Sequence, residues 1–244
     1  MKTALISGAN QGIGFETARH LAKLGYFVYL GCRKEEAAKE AVTQLHNETL
    51  TNVDWVLLDV TSQAIIDAAS ESLSTKMDSL DVLINNAGIL GKHNEDRSIS
   101  VEETVRVFDT NVFGVMRVTQ AFLPLLHKSD TPRIVNVSSG IGSLTCQSDP
   151  EWPFYPYKSD AYFPSKSALN AYTVAMAAKL GDRGFKVNSV DPGFIGTAFN
   201  NYAGPGKPEN AAEIIVHAAT LESDGPNGQF LSESEGSING IMPW

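Results

Sequence analysis

Cysteine is scarce in this chain of 244 residues: Cys32 and Cys146 are the whole supply. They form neither a disulfide framework nor zinc-ligand spacing, and so small a number suits a reducing compartment. Basic residues are outnumbered, 19 Lys and Arg against 28 Asp and Glu, for a formal charge of −9. They never run longer than the pair Arg33-Lys34, which excludes the polybasic patches that nucleic acid and anionic membranes require. No apolar run approaches the 18 residues of a membrane span, and the stretch between Met1 and Gly8 is too short for a signal segment. The histidines, His20, His46, His93, His127 and His217, are scattered without a close ligand set, so no metal is expected. Internal repeats, low-complexity tracts and linkers are also missing. These absences predict one domain over residues 1–244, cytoplasmic, with neither nucleic-acid nor membrane partners.

What is present is alternation. Short apolar runs, Ala4–Ile6, Phe27–Gly31, Val53–Leu58, Val82–Asn85, Arg133–Val137, Lys186–Val190 and Gln229–Leu231, read as strands. Between them lie helix-length segments: Gly12–Leu24, Glu35–His46, Gln63–Lys76, Val101–His127, Tyr162–Leu180 and Pro208–Thr220. Apolar, often β-branched strands separated by helices predict a parallel sheet buried on both faces, a doubly wound α/β domain of Rossmann type with about seven strands. One stretch, near residues 141–160, breaks the rhythm. Three prolines in seven residues, Pro150, Pro153 and Pro156, forbid regular helix there, and the segment reads either as a surface loop or as a wall of a ligand cleft.

The first strand runs into Ser7-Gly8-Ala9-Asn10-Gln11-Gly12-Ile13-Gly14, immediately before a helix. Glycines there permit a sharp turn and close approach of a pyrophosphate, which the helix N-terminus then holds through free N–H groups. The spacing departs from the common G-x-G-x-x-G, so the strand-turn-helix context carries the reading. At the end of the second strand stands Arg33, 19 residues after Gly14, where an NAD site places a carboxylate. A guanidinium grips a 2′-phosphate, which predicts NADP(H) over NAD(H); the alternative is a solvated Arg33 with Glu35 or Glu36 on the ribose. Asp59-Val60 and Asn86-Ala87-Gly88 end the third and fourth strands, at the sheet's carboxyl edge where ligands bind, placed for an adenine edge and the adjoining backbone.

Tyr162 and Lys166 are four residues apart on one helix face, so phenol and ammonium can share a site. A neighbouring cation favours the phenolate and lowers the phenol's pKa toward a useful range. Ser138-Ser139 at the end of the fifth strand can hydrogen-bond a substrate oxygen that also meets the tyrosine.

With these residues in place, the chain resembles the short-chain dehydrogenase/reductase family. The matching motifs are Gly8-x3-Gly12-Ile13-Gly14, Asn85-Asn86-Ala87-Gly88, Asn111, Ile134-Val135-Asn136-Val137-Ser138-Ser139, Tyr162-x3-Lys166 and Asp191-Pro192-Gly193, in family order over most of the chain. The resemblance implies Tyr162 as general acid/base, Ser139 as donor to the substrate oxygen, and Lys166 as holder of the nicotinamide ribose that lowers the tyrosine pKa. It implies Asn111 ordering a water beside that lysine. It also implies Pro192, Gly193, Ile195 and Thr197 in the segment that fixes the nicotinamide. Two departures stand out: Ser7 replaces a usual threonine, and Ser139 and Tyr162 are 23 residues apart, longer than the family's common spacing. The longer insertion and Arg33 are similar to carbonyl-reductase-like members that use NADPH.

The expected function is therefore NADP(H)-dependent interconversion of a ketone or aldehyde with an alcohol, on a hydrophobic or aromatic small molecule. A catalytically silent NADP(H)-binding sensor or scaffold is the alternative from another class; 3-oxoacyl or steroid reduction is the alternative within the family. The inserted loop, with Trp152, Phe154, Tyr155 and Tyr157, is expected to border the substrate, opposite the residues after Thr197. The resemblance also implies a homo-oligomer, dimer or tetramer, paired through the two long helices, with a monomer as the alternative because a longer insertion before the second helix blocks that pairing in some carbonyl-reductase-like members.

Overall fold

Alternate residues of each central strand point to opposite faces of the sheet and are apolar on both. Ala4 and Ile6 enter one core and Leu5 the other; Val82 and Ile84 enter the first, Leu83 the second. Strands so patterned are stable only in the middle of a layered structure, and helices cover both faces. The computed structural model describes residues 1–92 and 98–244; His93 lies outside the described residues. In chain order the elements are β1 (Thr3–Ser7), α1 (Gly12–Lys23), β2 (Phe27–Cys32), α2 (Glu35–Asn47), β3 (Val53–Leu57), α3 (Gln63–Ser74) and β4 (Val82–Asn85). There follow α4 (Val101–Phe108), a π-helical turn (Asp109–Gly114), α5 (Val115–Leu126), β5 (Arg133–Val137), α6 (Leu144–Gln147), α7 (Tyr162–Leu180), β6 (Lys186–Asp191), α8 (Pro208–Ala219) and β7 (Phe230–Ser232). The seven strands stand in the order β3-β2-β1-β4-β5-β6-β7, and every neighbouring pair is parallel. The order reverses direction between β1 and β4, where an α/β sheet opens a crevice at its carboxyl edge.

Two expectations need correcting. Val101–His127 is not one regular helix: the π turn widens it, and Thr110, Asn111 and Val112 of that turn are buried. Such a turn re-aims side chains against the domain. The insertion is not wholly irregular, because Ser143 caps the short α6 by accepting from Cys146 N at 3.1 Å.

A row of polar side chains fixes α7 to the sheet. Asn85, Asn136 and Ser189 are register partners across β4, β5 and β6. Asn85 Nδ2 donates to Asn136 Oδ1 (2.9 Å), Asn136 Nδ2 to Thr173 Oγ1 of α7 (2.9 Å), and Ser189 Oγ to the same hydroxyl (2.8 Å). Buried groups of this kind are stable only when paired, so they specify one position for the helix. That position sets where Tyr162 and Lys166 meet the end of β5.

Candidate active site

A cleft of about 1120 Å³ opens along the carboxyl edge of the sheet, from Arg33 beyond β2 to Phe194 and Tyr202 beyond β6. It is lined by the glycine-loop residues Gly8, Asn10, Gly12, Ile13 and Gly14 and by Asp59, Val60, Asn86, Ala87 and Gly88. Ser139, Tyr162, Lys166, Pro192, Gly193, Ile195 and Thr197 complete it. Every catalytic and cofactor-binding residue expected from the sequence lines this cleft except Asn111, which stands directly behind it.

The loop before α1 needs glycine at Gly8 for its backbone and at Gly14 for want of space. Gly8 has φ +66, and a Cβ added to Gly14 would lie 2.5 Å from Asn86 Nδ2 and 2.6 Å from Gly8 O. The amide of Asn86 is spent on this loop, donating to Ser7 O (2.9 Å) and Gly8 O (3.0 Å). Asn86 therefore shapes the loop rather than offering its amide to a ligand. The N-terminus of α1 has no side-chain cap and no acid in its first turn, unlike α4, where Ser100 caps and Glu102 and Glu103 follow. Uncapped N–H groups beside a glycine-rich loop fit a pyrophosphate. Across the cleft, Thr197 Cγ2 would be 3.4 Å from a Cβ on Gly12, and Asn200 holds that segment by accepting from Thr197 N (3.1 Å) and donating to Ile195 O (2.8 Å).

Arg33 and Lys34 line the cleft, whereas Glu35 pairs with Lys39 of α2. Among the described residues no salt bridge engages Arg33 or Lys34. Asp59 turns the chain after β3 by accepting from Thr61 N and Oγ1 (2.9 and 2.7 Å).

Tyr162 and Lys166, both buried, come to the end of β5, with Lys166 Nζ 5.5 Å from the centre of the Tyr162 ring. Lys166 Nζ donates to Val137 O at 2.7 Å, and burial brings its pKa down to about 8. The phenol's pKa is raised, chiefly by burial; its hydrogen bond with the Ser139 hydroxyl opposes the rise and the Asp191 charge adds to it. The expectation of a lowered tyrosine pKa is thus not met in this structure: desolvation outweighs the lowering influences, and the phenol stands above its ordinary value. A phenol in this setting is a loaded proton donor at neutral pH. Asn111 secures the arrangement from behind. Its Nδ2 donates to Ile89 O (2.9 Å) and Ser165 Oγ (3.0 Å), its Oδ1 accepts from Ile89 N (2.9 Å), and Ser165 Oγ donates to Tyr162 O (2.7 Å). The Asn111 side chain is occupied with the protein itself.

Of the loop aromatics, Trp152, Phe154 and Tyr157 line the cleft. Tyr155 does not; its ring lies 4.0 Å from Lys158 Nζ instead. Phe194, Phe199 and Tyr202 form the other wall, and Phe199 packs 5.7 Å from the Tyr162 ring. Sequence reasoning missed Leu90 and Glu235, which carry no motif and reach the cleft only through the tertiary fold. Among the described residues no group of three or more His, Cys, Asp and Glu side chains could hold a metal ion, and no helix is long and apolar enough to cross a membrane.

A family model described as short chain dehydrogenase matches residues 2–207. The chain belongs to the short-chain dehydrogenase family. Short-chain dehydrogenases are nicotinamide-dependent oxidoreductases of alcohol and carbonyl groups, and this chain is one of them. It is 39% identical to the short-chain dehydrogenase anuI of Penicillium roqueforti over 222 residues, 88% of this chain and 87% of that protein. The solved structure of salutaridine reductase from Papaver somniferum superposes with a TM-score of 0.84 at 30% identity, over 96% of this chain and 100% of the other. NADPH-bound carbonyl reductase from chicken fatty liver gives a TM-score of 0.82 at 28% identity, over 100% and 99%.

Proposed function

We propose that this short-chain dehydrogenase reduces a ketone or aldehyde on a hydrophobic or aromatic small molecule, using NADPH, with Tyr162 as the proton donor. The observation that carries the reading is the convergence of Ser139, Tyr162 and Lys166 in one cleft whose far end presents Arg33 and Lys34, which no salt bridge engages among the described residues. Gly8, Asn10, Gly12, Ile13 and Gly14 would hold the pyrophosphate, Arg33 the 2′-phosphate, and Asp59, Val60, Ala87 and Gly88 the adenosine side. Lys166, Pro192, Gly193, Ile195 and Thr197 would hold the nicotinamide end. When bound, the reduced nicotinamide supplies the hydride for the carbonyl carbon. Ser139 donates a hydrogen bond to the substrate oxygen, where negative charge develops. Tyr162 gives its proton to that oxygen, and the nearby Lys166 ammonium stabilises the phenolate left behind. Two solved relatives are NADPH or NADP complexes, the chicken carbonyl reductase and Pseudomonas aeruginosa RhlG, which supports the choice of cofactor.

Trp152, Phe154, Tyr157, Phe194, Phe199 and Tyr202 give the substrate end broad apolar faces with few rotatable bonds, suited to flat or greasy substrates. The test is carbonyl-dependent oxidation of NADPH by purified protein across aliphatic, aromatic, 3-oxoacyl and steroid ketones, with NADH in parallel. Turnover with NADPH on aromatic ketones supports the reading. NADPH binding without turnover on any carbonyl would instead mark a nucleotide-binding protein that does no chemistry. The exposed apolar residues of α4 (Val101, Val105), of the π turn (Phe113) and of α7 (Val174) support pairing of two copies. A single scattering species near 26.3 kDa at micromolar concentration would contradict it.

A further inference from the structure

The substrate wall is attached to a segment distant from it along the chain. Trp152 is buried within the insertion, and its indole N–H donates to Glu235 O at 3.0 Å, 83 residues further on. The next residue, Gly236, has φ +99, a conformation that favours glycine. A Cβ there would stand 3.0 Å from Trp152 Nε1 and 3.1 Å from Cys146 Sγ. Cys146 Sγ in turn meets Met242 Sδ at 3.5 Å. The Trp244 ring stacks on Phe230 of β7, centroids 5.6 Å apart and planes 16° apart. Its carbonyl accepts from both Thr145 N (3.0 Å) and Thr145 Oγ1 (2.7 Å) of α6, while Met242 N donates to Phe230 O at 2.7 Å. Residues 235–244 are thus bonded to β7 on one side and to the insertion on the other.

We infer that this clasp is a specificity determinant: Gly236 and Trp244 are positioning residues that hold rigid the substrate wall to which Trp152 itself belongs. The inference rests on the reductase reading above. The insertion adds no strand to the sheet, so its place is set by its anchors. From Trp152 the contacts pass edge-on to Phe154 (5.3 Å) and from Phe154 to Tyr157 and Phe194 (6.1 and 6.4 Å), all of which line the cleft. A wall ordered in advance spares a large substrate the entropy of ordering it. A small ketone that reaches only Ser139 and Tyr162 gains nothing from the wall. None of the clasp's contacts involves the glycine loop or Arg33, so the nucleotide end should not feel its loss.

The experiment uses Trp152→Phe, which keeps an aromatic ring and removes the N–H, together with Gly236→Ala and Trp244→Ala, and Trp244→Phe as the conservative rescue. KM and kcat are measured for a bulky aryl ketone and a small aliphatic ketone, with the Kd for NADPH. The chain's tryptophans are Trp55, Trp152 and Trp244, so in a Trp55→Phe background the emission reports the clasp alone. Expected are a red-shifted emission in Gly236→Ala and a KM for the aryl ketone raised about fivefold or more in the three clasp variants, a loss of binding shared by ground and transition states. KM for the small ketone and Kd for NADPH should stay within about twofold, and Trp244→Phe should recover most of the loss. Equal effects on both ketones, or an unchanged ratio despite shifted emission, would overturn the clasp while leaving the reductase reading intact. Wild-type protein that oxidises NADPH with no carbonyl would overturn the reductase reading, and the specificity claim with it.

Discussion

Replacing Lys166 by Met should make the protein more stable while abolishing its chemistry. The side chain is 4% exposed, and burial brings its pKa from 10.5 to about 8. In the unfolded chain the same ammonium keeps its proton to about pH 10.4. Below pH 8 both states are charged, and the folded state alone bears the desolvation. Each pKa unit corresponds to about 1.4 kcal/mol, so the buried charge costs about 3 kcal/mol. The hydrogen bond from Nζ to Val137 O, 2.7 Å long, returns about 1 kcal/mol of that, and Met fills the same unbranched space. The net gain for Lys166→Met at pH 7 is then about 2 kcal/mol, or about 4–8 °C in Tm for a chain of this size. Between pH 8 and 10.5 the folded protein releases the proton that the unfolded chain still holds. Wild-type stability therefore rises relative to the variant, and the gap closes. Tyr26 and Tyr29, whose pKa values burial raises, pull alkaline stability the other way, but they are common to both proteins and cancel in the difference. Urea unfolding of the two proteins at pH 7 and pH 10 measures it. A variant less stable at pH 7, or a gap that does not change with pH, would refute the reasoning.

Two further substitutions probe the nucleotide end. Arg33→Asp should weaken NADPH about ten- to a hundredfold more than NADH, because a 2′-phosphate would lose a charge-assisted donor and meet a like charge; titration calorimetry with both nucleotides decides, and an equal loss for the two would contradict it. Gly14→Ala places a methyl 2.5 Å from Asn86 Nδ2 and 2.6 Å from Gly8 O. It should destabilise the fold by about 1–3 kcal/mol and weaken NADPH at least about tenfold, whereas normal affinity in the folded variant would show that the loop does not carry the phosphates.

Periodicity and turn chemistry made the frame legible. Val82–Asn85, Arg133–Val137 and Tyr162–Leu180 occur at the residues expected, because their apolar runs end at residues that the sheet edge or a cap requires. Strand ends were less visible: β1 and β6 run on to Ser7 and Asp191, and β7 to Ser232, since register partners recruit polar residues that carry no apolar signal. The π turn at Asp109–Gly114 left no trace, as it interrupts hydrogen bonding within a continuous helical pattern. Strand-turn-helix context, the strand ends and the family resemblance together placed Gly8, Arg33, Ser139, Tyr162 and Lys166 along one edge. They could not reveal that Asn111 and Asn86 serve the protein's own backbone, because those partners lie 22 and 78–79 residues away. The tie from Trp152 to Glu235 O was hidden for the same reason: a carbonyl acceptor has no residue signature.

The most direct test of the account is carbonyl-dependent NADPH oxidation by Tyr162→Phe beside the wild type. The variant keeps the ring that packs on Phe199 and removes the proton. The account predicts a fall in kcat of at least about a hundredfold, the low end for a lost general acid, with the Kd for NADPH unchanged. A Tyr162→Phe protein that turns over at the wild-type rate would contradict it.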